Sequence, residues 1–238
     1  KRQESGISIV NVDDNYGKRI VDEISGESVT YSVKRESDYK AFNEKCESEF
    51  STYDINLKGK KETIEVGLPG EFNIYNSLGA IGASLALKVS IESIKKGIRD
   101  VVVTGRCEKV GKEYKLPYTI IIDYAHTPDG LENILTTVNG FKTNRLISVF
   151  GCGGDRDKVK RPQMGKIGTE LSEIAIITSD NPRTEEPMSI IDDIIKGINK
   201  NNYEVIENRK EAIKRAIDLA QAGDVIVICL LYTSDAAD

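Results

Sequence analysis

The sequence contains a single histidine, His126, and no Cys-x-x-Cys pair among its four cysteines, Cys46, Cys107, Cys152 and Cys229. One histidine excludes a multi-histidine metal site, and it leaves a Ser-His-Asp or Cys-His enzyme without a second base. The scattered cysteines indicate neither a zinc site nor a disulfide framework. We therefore expect reduced thiols and a cytoplasmic protein.

Two further absences concern partners. The formal net charge is -5, so the sequence implies no broad basic face for a nucleic acid. No apolar segment is long enough to span a bilayer, and the first residues lack the apolar core of a signal peptide. We expect neither a nucleic-acid partner nor a membrane partner, and any basic site must be local.

Strands and helices alternate regularly in the second half of the chain. The pattern predicts strands at 145–150, 174–179, 203–206 and 224–228, separated by helices at 162–172, 188–198 and 209–221. This alternation is typical of an α/β fold with a doubly wound, mostly parallel sheet. The segment Asn139–Asn144 is the predicted linker, so we assign 1–140 and 143–228 to two domains and expect the second to fold independently.

The first half is less regular. A strand at 7–12, a helix from Tyr16 to Ile24 and a strand at 28–33 read as a βαβ unit, and strands at 53–57 and 62–66 read as a hairpin. Residues 34–48 carry no clear pattern. A helix of small residues is predicted at 77–87, with Asn73 and Asn76 at its entrance. There the two amides could cap the helix or hold a base or sugar edge.

The segment 149–162, with the sequence VFGCGGDRDKVKRP, follows an apolar strand and leads into a helix. Its three glycines would allow positive φ and a close approach of a ligand to the backbone. The side chains of Arg156, Lys158, Lys160 and Arg161 would add cationic donors for an anion. The alternative is a surface turn with a solvated charge cluster.

A second polar tip, Asp180-Asn181-Pro182-Arg183, follows the strand at 174–179. Pro182 restrains Asn181 to an extended conformation. A bidentate bond from Arg183 to a carboxylate would be worth roughly 1.5–3 kcal/mol, which is about ten- to a hundredfold in affinity. Because ligands of doubly wound sheets lie beyond the carboxyl ends of strands, we expect Arg156 and Arg183 to converge on one pocket. The alternative is a turn with a surface arginine.

A third polar tip, DYAHTPD at 123–129, follows the apolar strand at 118–122. Thr127 as N-cap and Pro128 at the first helical position predict a helix start. Asp123 could hold ribose hydroxyls or a metal, or it could cap the helix. His126 suits a functional role and a structural hydrogen bond equally well.

These three segments, in this order and spacing, closely resemble the Mur ligases of peptidoglycan synthesis. The resemblance implies an ATP-dependent amide ligation with magnesium, in which the glutamyl carboxylate of UDP-N-acetylmuramoyl-L-alanyl-D-glutamate becomes an acyl phosphate and meso-diaminopimelate displaces the phosphate. It also implies that 1–140 is the later part of a central ATP-binding domain and that 143–228 is a Rossmann-like domain that binds the amino acid.

The resemblance implies roles for individual residues as well. Asn76 would contact adenine, Arg106 the phosphates and Asp123 the ribose, and Arg106 and His126 are the expected catalytic residues. No metal ligand is expected in this chain, because the magnesium ligands would precede Lys1. The residues expected to hold diaminopimelate are Arg156, Asp180, Asn181, Pro182 and Arg183.

Two departures from the family pattern matter. The Gly-Lys-Thr/Ser phosphate loop is missing, so we expect the chain as given to be inactive. A Gly-Lys-Gly-His-Glu stretch is expected after Ile228, and residues 229–238 differ from it so strongly that we expect a non-native tail. Three other functions stay open: a lysine-adding ligase, a folylpolyglutamate-type ligase and a non-catalytic nucleotide-binding domain. A nicotinamide-binding domain is disfavoured because the turn lacks GxGxxG spacing.

Overall fold

The structure, a computed structural model, describes residues 6–229. The chain divides into two compact units between Val102 and Val103. In the first unit it forms β1 Ser8–Asn11, α1 Asn15–Glu23, β2 Ser28–Ser32, β3 Tyr39–Cys46, β4 Ser51–Leu57, β5 Lys60–Val66, α2 Glu71–Ala86 and α3 Ile91–Arg99.

The first unit is built on a five-stranded sheet with the strand order β1-β2-β3-β4-β5. β1, β2 and β3 run parallel, which confirms the predicted βαβ unit, whereas β4 and β5 form the predicted antiparallel hairpin. Lys58 and Gly59 turn that hairpin with positive φ at both residues, as a two-residue turn requires. β3 was not predicted, because its polar sequence carries an irregularity between Phe42 and Lys45 that breaks the alternation.

The small-residue helix α2 begins at Glu71 and not at the predicted Ser77. Gly70 is its N-cap residue, so no side chain caps the helix. Close packing explains the small residues, since a Cβ on Gly82 would lie 2.8 Å from Cγ2 of Ile9. The helix therefore lies directly on the parallel part of the sheet.

The second unit is the predicted doubly wound α/β domain. It contains β6 Glu108–Val110, a short 3-10 helix at Lys112–Tyr114, β7 Thr119–Asp123, α4 Pro128–Phe141, β8 Leu146–Phe150, α5 Lys160–Leu171, β9 Ile174–Ile177, α6 Pro187–Ile195, β10 Tyr203–Val205, α7 Arg209–Leu219 and β11 Val225–Cys229. The strand order is β10-β9-β8-β11-β7-β6, and only the edge strand β6 is antiparallel to its neighbour. Buried side chains of α4, α5 and α6 pack on one face of the sheet, and those of α7 pack on the other.

The predicted domain boundary at residues 140–143 is wrong. α4 continues through Asn139 and Gly140 to Phe141, so this segment is helical and does not link two domains. β7 pairs with β11 from Thr119↔Val225 to Asp123↔Cys229, which places residues 119–141 inside the second unit. A strand pairing across such a sequence separation leaves no local signal in the chain.

The four cysteines are free thiols: Cys107, Cys152 and Cys229 are buried and Cys46 is exposed. Cys229 is the last residue of β11, and the rest of the predicted tail, 230–238, lies outside the described residues. None of the helices within residues 6–229 is long and apolar enough to cross a membrane.

Asp13 joins three parts of the first unit. Its carboxylate accepts hydrogen bonds from Ser32 Oγ at 2.7 Å, Val33 N at 2.8 Å, Lys34 N at 3.0 Å and Tyr75 Oη at 2.8 Å. Burial alone would raise the pKa of Asp13, but these four donors outweigh it and lower the pKa to about 2. The ionised carboxylate therefore holds the end of β1, the β2–β3 loop and α2 together.

The first unit should lose stability in acid because of this group. A depressed carboxyl pKa stabilises the fold above the ordinary value of 3.8, and the contribution is lost as pH falls through about 2. Asp13→Asn should lower the amide protection factors of β1 and β2 at pH 7, each taken relative to the intrinsic exchange rate at the same pH. The further fall in protection that wild type shows between pH 4 and pH 2 should be smaller in this variant. Glu23→Gln, which removes an exposed ion pair with Arg19, is the control and should behave as wild type. Parallel pH profiles for Asp13→Asn and wild type would contradict this role.

The corrected boundary predicts which fragment folds alone. A fragment of residues 103–238 should melt cooperatively and resist proteolysis, because it keeps the whole sheet. A fragment of residues 143–228 lacks β7 and α4 and so exposes the surface that Leu131, Ile134, Leu135 and Val138 cover. We expect it to be unfolded by circular dichroism. A cooperative melt of the shorter fragment would show that the predicted boundary was sufficient.

Candidate functional site

Three polar segments meet the same edge of the second sheet. β7, β11, β8 and β9 are parallel neighbours, so their carboxyl ends lie together. Asp123 ends β7, the glycine-rich segment 151–159 follows β8, and the segment 178–186 follows β9. We call the last two the β8 loop and the β9 loop. This agrees with the prediction that the tips after β8 and β9 lie at one edge, whereas the place of Asp123 at the same edge was not predicted, because 118–123 was assigned to the other domain.

The β8 loop and the β9 loop are in direct backbone contact. Gly154 N donates a hydrogen bond to Asn181 O at 2.8 Å. A Cβ on Gly154 would lie 1.8 Å from Pro182 O, and a Cβ on Gly151 would lie 2.3 Å from Thr178 O. Only glycine leaves room for the neighbouring backbone at these two positions.

Atoms of both loops lie near Gly153. The position of its missing Cβ lies 3.7 Å from Asn181 O, 3.8 Å from Asp180 Oδ2 and 3.9 Å from Arg156 Cγ. Atoms of Arg156, Asp180 and Asn181 thus lie around one glycine, and their joint role in holding a ligand stays a prediction.

The expected role of the three glycines needs correction. We predicted positive φ and ligand approach, but none of them has a positive φ, and two of them admit the β9 loop instead of a ligand. The positive φ, 53°, belongs to Asp155. A left-handed residue other than glycine costs roughly 1–2 kcal/mol, so the surrounding contacts must hold Asp155 in place.

Arg183 repeats this arrangement in the β9 loop. Its φ is also 53°, and its backbone N donates to Asn181 Oδ1 at 3.2 Å. The side chains of Arg156 and Arg183 are both exposed at the carboxyl edge. The convergence of the two guanidinium groups on one ligand stays a prediction.

Asp123 is buried, and its carboxylate is fixed by backbone donors. Oδ2 accepts from Cys107 N at 2.8 Å, and Oδ1 accepts from Ala125 N at 2.9 Å. Burial raises the pKa of Asp123, although these bonds and the nearby charge of Arg106 act in the opposite direction. A carboxylate offers about four acceptor positions, so Asp123 fits a further pair of hydroxyl donors such as those of a ribose.

An exposed cation and two rings lie beside Asp123. The guanidinium carbon of Arg106 lies 4.8 Å from the ring centroid of Tyr124, a cation–π arrangement. Tyr124 packs edge-on against His126 with ring centroids 5.1 Å apart. His126 Nδ1 lies 3.0 Å from Tyr124 O, which favours the tautomer that donates from Nδ1 and leaves Nε2 as an acceptor. The position fits both roles predicted for His126.

Asn73 and Asn76 lie within α2 and do not cap it. Asn73 is buried and donates from Nδ2 to Pro69 O at 2.8 Å. Asn76 donates from Nδ2 to Asn73 Oδ1 at 3.1 Å. This relay orients the exposed Asn76 amide and leaves its Oδ1 available for a donor such as an adenine amino group.

A metal ion needs several converging side chains of His, Cys, Asp or Glu. Among residues 6–229, no group of three or more His, Cys, Asp or Glu side chains is arranged to hold one. We therefore assign no step to magnesium through the residues of this chain.

Sequence reasoning misjudged Arg161 and overlooked Glu185. Arg161 was predicted to be an exposed anion donor, yet its side chain is fully buried and paired with Glu185 and Asp193. The helical spacing of Arg161, Met164, Gly165 and Gly168 is the signal that could have revealed this, because positions i, i+3, i+4 and i+7 form the buried face of α5.

Comparison with known families gives matches in both units. The family described as "Mur ligase, glutamate ligase domain" matches residues 105–229, and "Mur ligase middle domain" matches residues 1–84. These ranges agree with a division of the chain near residue 103.

Individual proteins match over nearly the whole chain. This chain is 59% identical over 231 residues to the UDP-N-acetylmuramoyl-L-alanyl-D-glutamate--2,6-diaminopimelate ligase of Clostridium perfringens. The match covers 95% of this chain and 48% of the relative. A solved structure of a ligase with the same name is 31% identical, with a TM-score of 0.60 over 94% of this chain and 47% of that one. The folylpolyglutamate synthase of Mycobacterium tuberculosis has a TM-score of 0.77 at 17% identity over 96% of this chain and 53% of its own, which shows a shared fold.

The contact between the β8 and β9 loops predicts that alanine substitution destabilises the domain at one of two neighbouring glycines and is tolerated at the other. Gly154→Ala should destabilise the second unit by about 1–3 kcal/mol, because the new methyl meets backbone atoms of Pro182 that cannot move independently. Gly153→Ala meets its nearest atom at 3.7 Å and should be neutral. Thermal unfolding of the 103–238 fragment measures both. Equal effects would contradict the described loop contact.

Proposed function

The chain belongs to the Mur ligase family, and from this premise we propose that it is part of an ATP-dependent ligase that adds meso-diaminopimelate to UDP-N-acetylmuramoyl-L-alanyl-D-glutamate. The similar ligase of Clostridium perfringens carries a name that includes both of these substrates. The chain spans about half the length of the curated relatives that it matches. The proposed reaction is therefore that of the whole protein.

The proposed reaction has two steps that balance in atoms and charge. An oxygen of the glutamyl carboxylate attacks the γ-phosphorus of ATP, the bond from that phosphorus to the β–γ bridging oxygen breaks, and ADP leaves as the acyl phosphate forms. The neutral amine nitrogen of diaminopimelate then attacks the acyl carbon, its extra proton passes to water, and the carbon–oxygen bond to the phosphate breaks, which releases inorganic phosphate and leaves the amide. Magnesium would neutralise phosphate charge during the first step. A nucleotide-linked substrate and ATP fit the cytoplasmic location that the sequence predicts.

We assign the nucleotide contacts residue by residue. The buried Asp123 carboxylate would accept hydrogen bonds from the ribose hydroxyls, and the exposed Arg106 would stabilise phosphate charge. The Asn76 amide, oriented by Asn73, would hold the adenine edge. His126 keeps the expected catalytic role, with Nε2 as the acceptor that the Nδ1 contact leaves open.

The observation that carries the amino-acid assignment is the joined pair of loops at one sheet edge. The side chain of Arg156 extends from the β8 loop near Asp180 and Asn181. Arg183 directly follows Pro182 in the β9 loop. Diaminopimelate carries two carboxylates and two ammonium groups, whereas lysine lacks the distal carboxylate. The two exposed guanidinium groups of Arg156 and Arg183, with the Asp180 carboxylate nearby, suit the charges of diaminopimelate. Lysine is the second candidate, and a folylpolyglutamate-type ligase shares the fold.

Arg183→Ala tests the selection of the distal carboxylate. The variant should bind meso-diaminopimelate about ten- to a hundredfold more weakly, which corresponds to the loss of a bidentate guanidinium–carboxylate bond. Its affinity for L-lysine should not change. Isothermal titration of the purified chain with each amino acid measures both values, and Arg215→Ala, which removes a surface ion pair with Glu204, is the control.

Other outcomes would favour the other functions. Tighter binding of lysine than of diaminopimelate by the wild-type chain would favour a lysine-adding ligase. ATP binding without binding of either amino acid would favour a non-catalytic nucleotide-binding domain. An equal loss for both amino acids in Arg183→Ala would show that Arg183 does not read the distal carboxylate.

A further inference from the structure

A fully buried arginine lies beneath the two loops. Arg161, in the first turn of α5, donates from Nη2 to Glu185 Oε1 at 2.7 Å and from Nη1 to Glu185 Oε2 at 3.0 Å. Nη1 also donates to Asp193 Oδ2 at 3.0 Å, and Nη2 lies 3.5 Å from Gly153 O. One side chain thus contacts the β8 loop, the β9 loop and α6.

Glu185 extends this connection into the β8 loop. Its Oε1 accepts from Asp155 N at 2.7 Å, and its Oε2 lies 3.1 Å from Lys158 Nζ. The bond from Arg161 and the bond from Asp155 N together hold the pKa of Glu185 at about 2, well below its ordinary value. A carboxylate of the β9 loop therefore stays ionised at neutral pH and is bound by the backbone of the β8 loop.

The side chain of Asp155, in the β8 loop, also bonds to the β9 loop. Its carboxylate accepts from Thr184 N at 3.2 Å and from Thr184 Oγ1 at 2.8 Å. Asp155 and Arg183 are the two residues of these loops with left-handed backbones, at φ 53° each. The residues predicted to contact the ligand lie beside the Asp155–Thr184 bond, because Arg156 follows Asp155 directly and Arg183 precedes Thr184.

Stability alone does not account for a charge buried in this way. Replacing a buried ion pair with well-packed apolar side chains is often neutral, because desolvation offsets most of the attraction. What the pair fixes here is geometry, since it joins two loops that share no strand or helix. The bonds of Arg161 connect α5 to both loops and to α6, and the bonds of Asp155 with Glu185 and Thr184 connect one loop to the other.

We propose that Arg161 and Glu185 are positioning residues for amino-acid selection. They lock the β8 loop to the β9 loop so that the side chains of Arg156 and Arg183 extend from a fixed backbone, as recognition of a ligand with two carboxylates requires. The proposal rests on the proposed function for the identity of that ligand. The locking itself is a property of the fold and can be tested without any ligand.

The first experiment measures the lock in the ligand-free chain by hydrogen–deuterium exchange. In Arg161→Met and in Glu185→Gln, exchange should rise together in residues 151–159 and 178–186 and should stay unchanged in β8 and β9. The matched control is Arg145→Met, which breaks the ion pair to the buried Asp224 at the opposite edge of the same sheet. This control should leave both loops protected. Glu185→Gln keeps the size of the side chain and serves if Arg161→Met does not fold.

The second experiment separates positioning from general destabilisation. We expect Arg161→Met to bind meso-diaminopimelate at least tenfold more weakly while ATP binding changes less than twofold, and we expect Glu185→Gln to show a smaller loss in the same direction. Arg145→Met should lower the melting temperature without changing either affinity.

The two experiments fail in distinguishable ways. Unchanged loop exchange in both variants, or a rise spread over the whole second unit, would overturn the lock. Coupled loop exchange with unchanged diaminopimelate affinity would overturn its role in selection. A wild-type chain that binds no diaminopimelate would count against the proposed function, and the exchange result would still decide on the lock.

Discussion

Parallel pairing of β7, β11, β8 and β9 is the constraint on which the rest of the second unit depends. Strands that run in one direction end at one edge, so residues far apart in sequence become neighbours without any specific contact between them. Asp123 ends β7, Gly151 follows β8 and Thr178 follows β9. The region that faces a ligand is therefore set by backbone hydrogen bonding before any of its side chains has a partner.

The alternation of apolar strands and amphipathic helices was sufficient to predict β8, β9, β10 and β11 of this sheet, whereas the strand that became β7 was assigned to the other domain. Residues such as Ile147 and Val149 pack on one face while Leu146 and Phe150 pack on the other, so each strand reads as a continuous apolar run. The start of α4 was also predictable, because Thr127 accepts a hydrogen bond from Gly130 N as its N-cap. These are local signals that a single sequence carries.

Features that depend on distant contacts could not be predicted in the same way. The domain boundary was misplaced because Asn139 and Gly140 look like a linker, whereas burial of Val138 and the bond from Asn139 to Leu171 O keep the helix intact. The burial of Arg161 depends on Glu185 and Asp193, which arrive from another loop and another helix. A charge cluster in a sequence does not show which of its members has a buried partner.

In the proposed site, buried residues order the two loops and exposed residues contact the ligand. This arrangement reduces the entropy cost of binding. A flexible loop that becomes fixed on binding costs roughly 1–2 kcal/mol per residue in backbone entropy, which would cancel the gain from a guanidinium–carboxylate bond. Here Gly154 lets the two backbones touch, and the buried Arg161–Glu185 pair holds them before any ligand arrives. In the proposed binding site, only the side-chain rotors of Arg156 and Arg183 would then be left to order. A buried cation that contacts no ligand can in this way strengthen the binding made by two exposed ones.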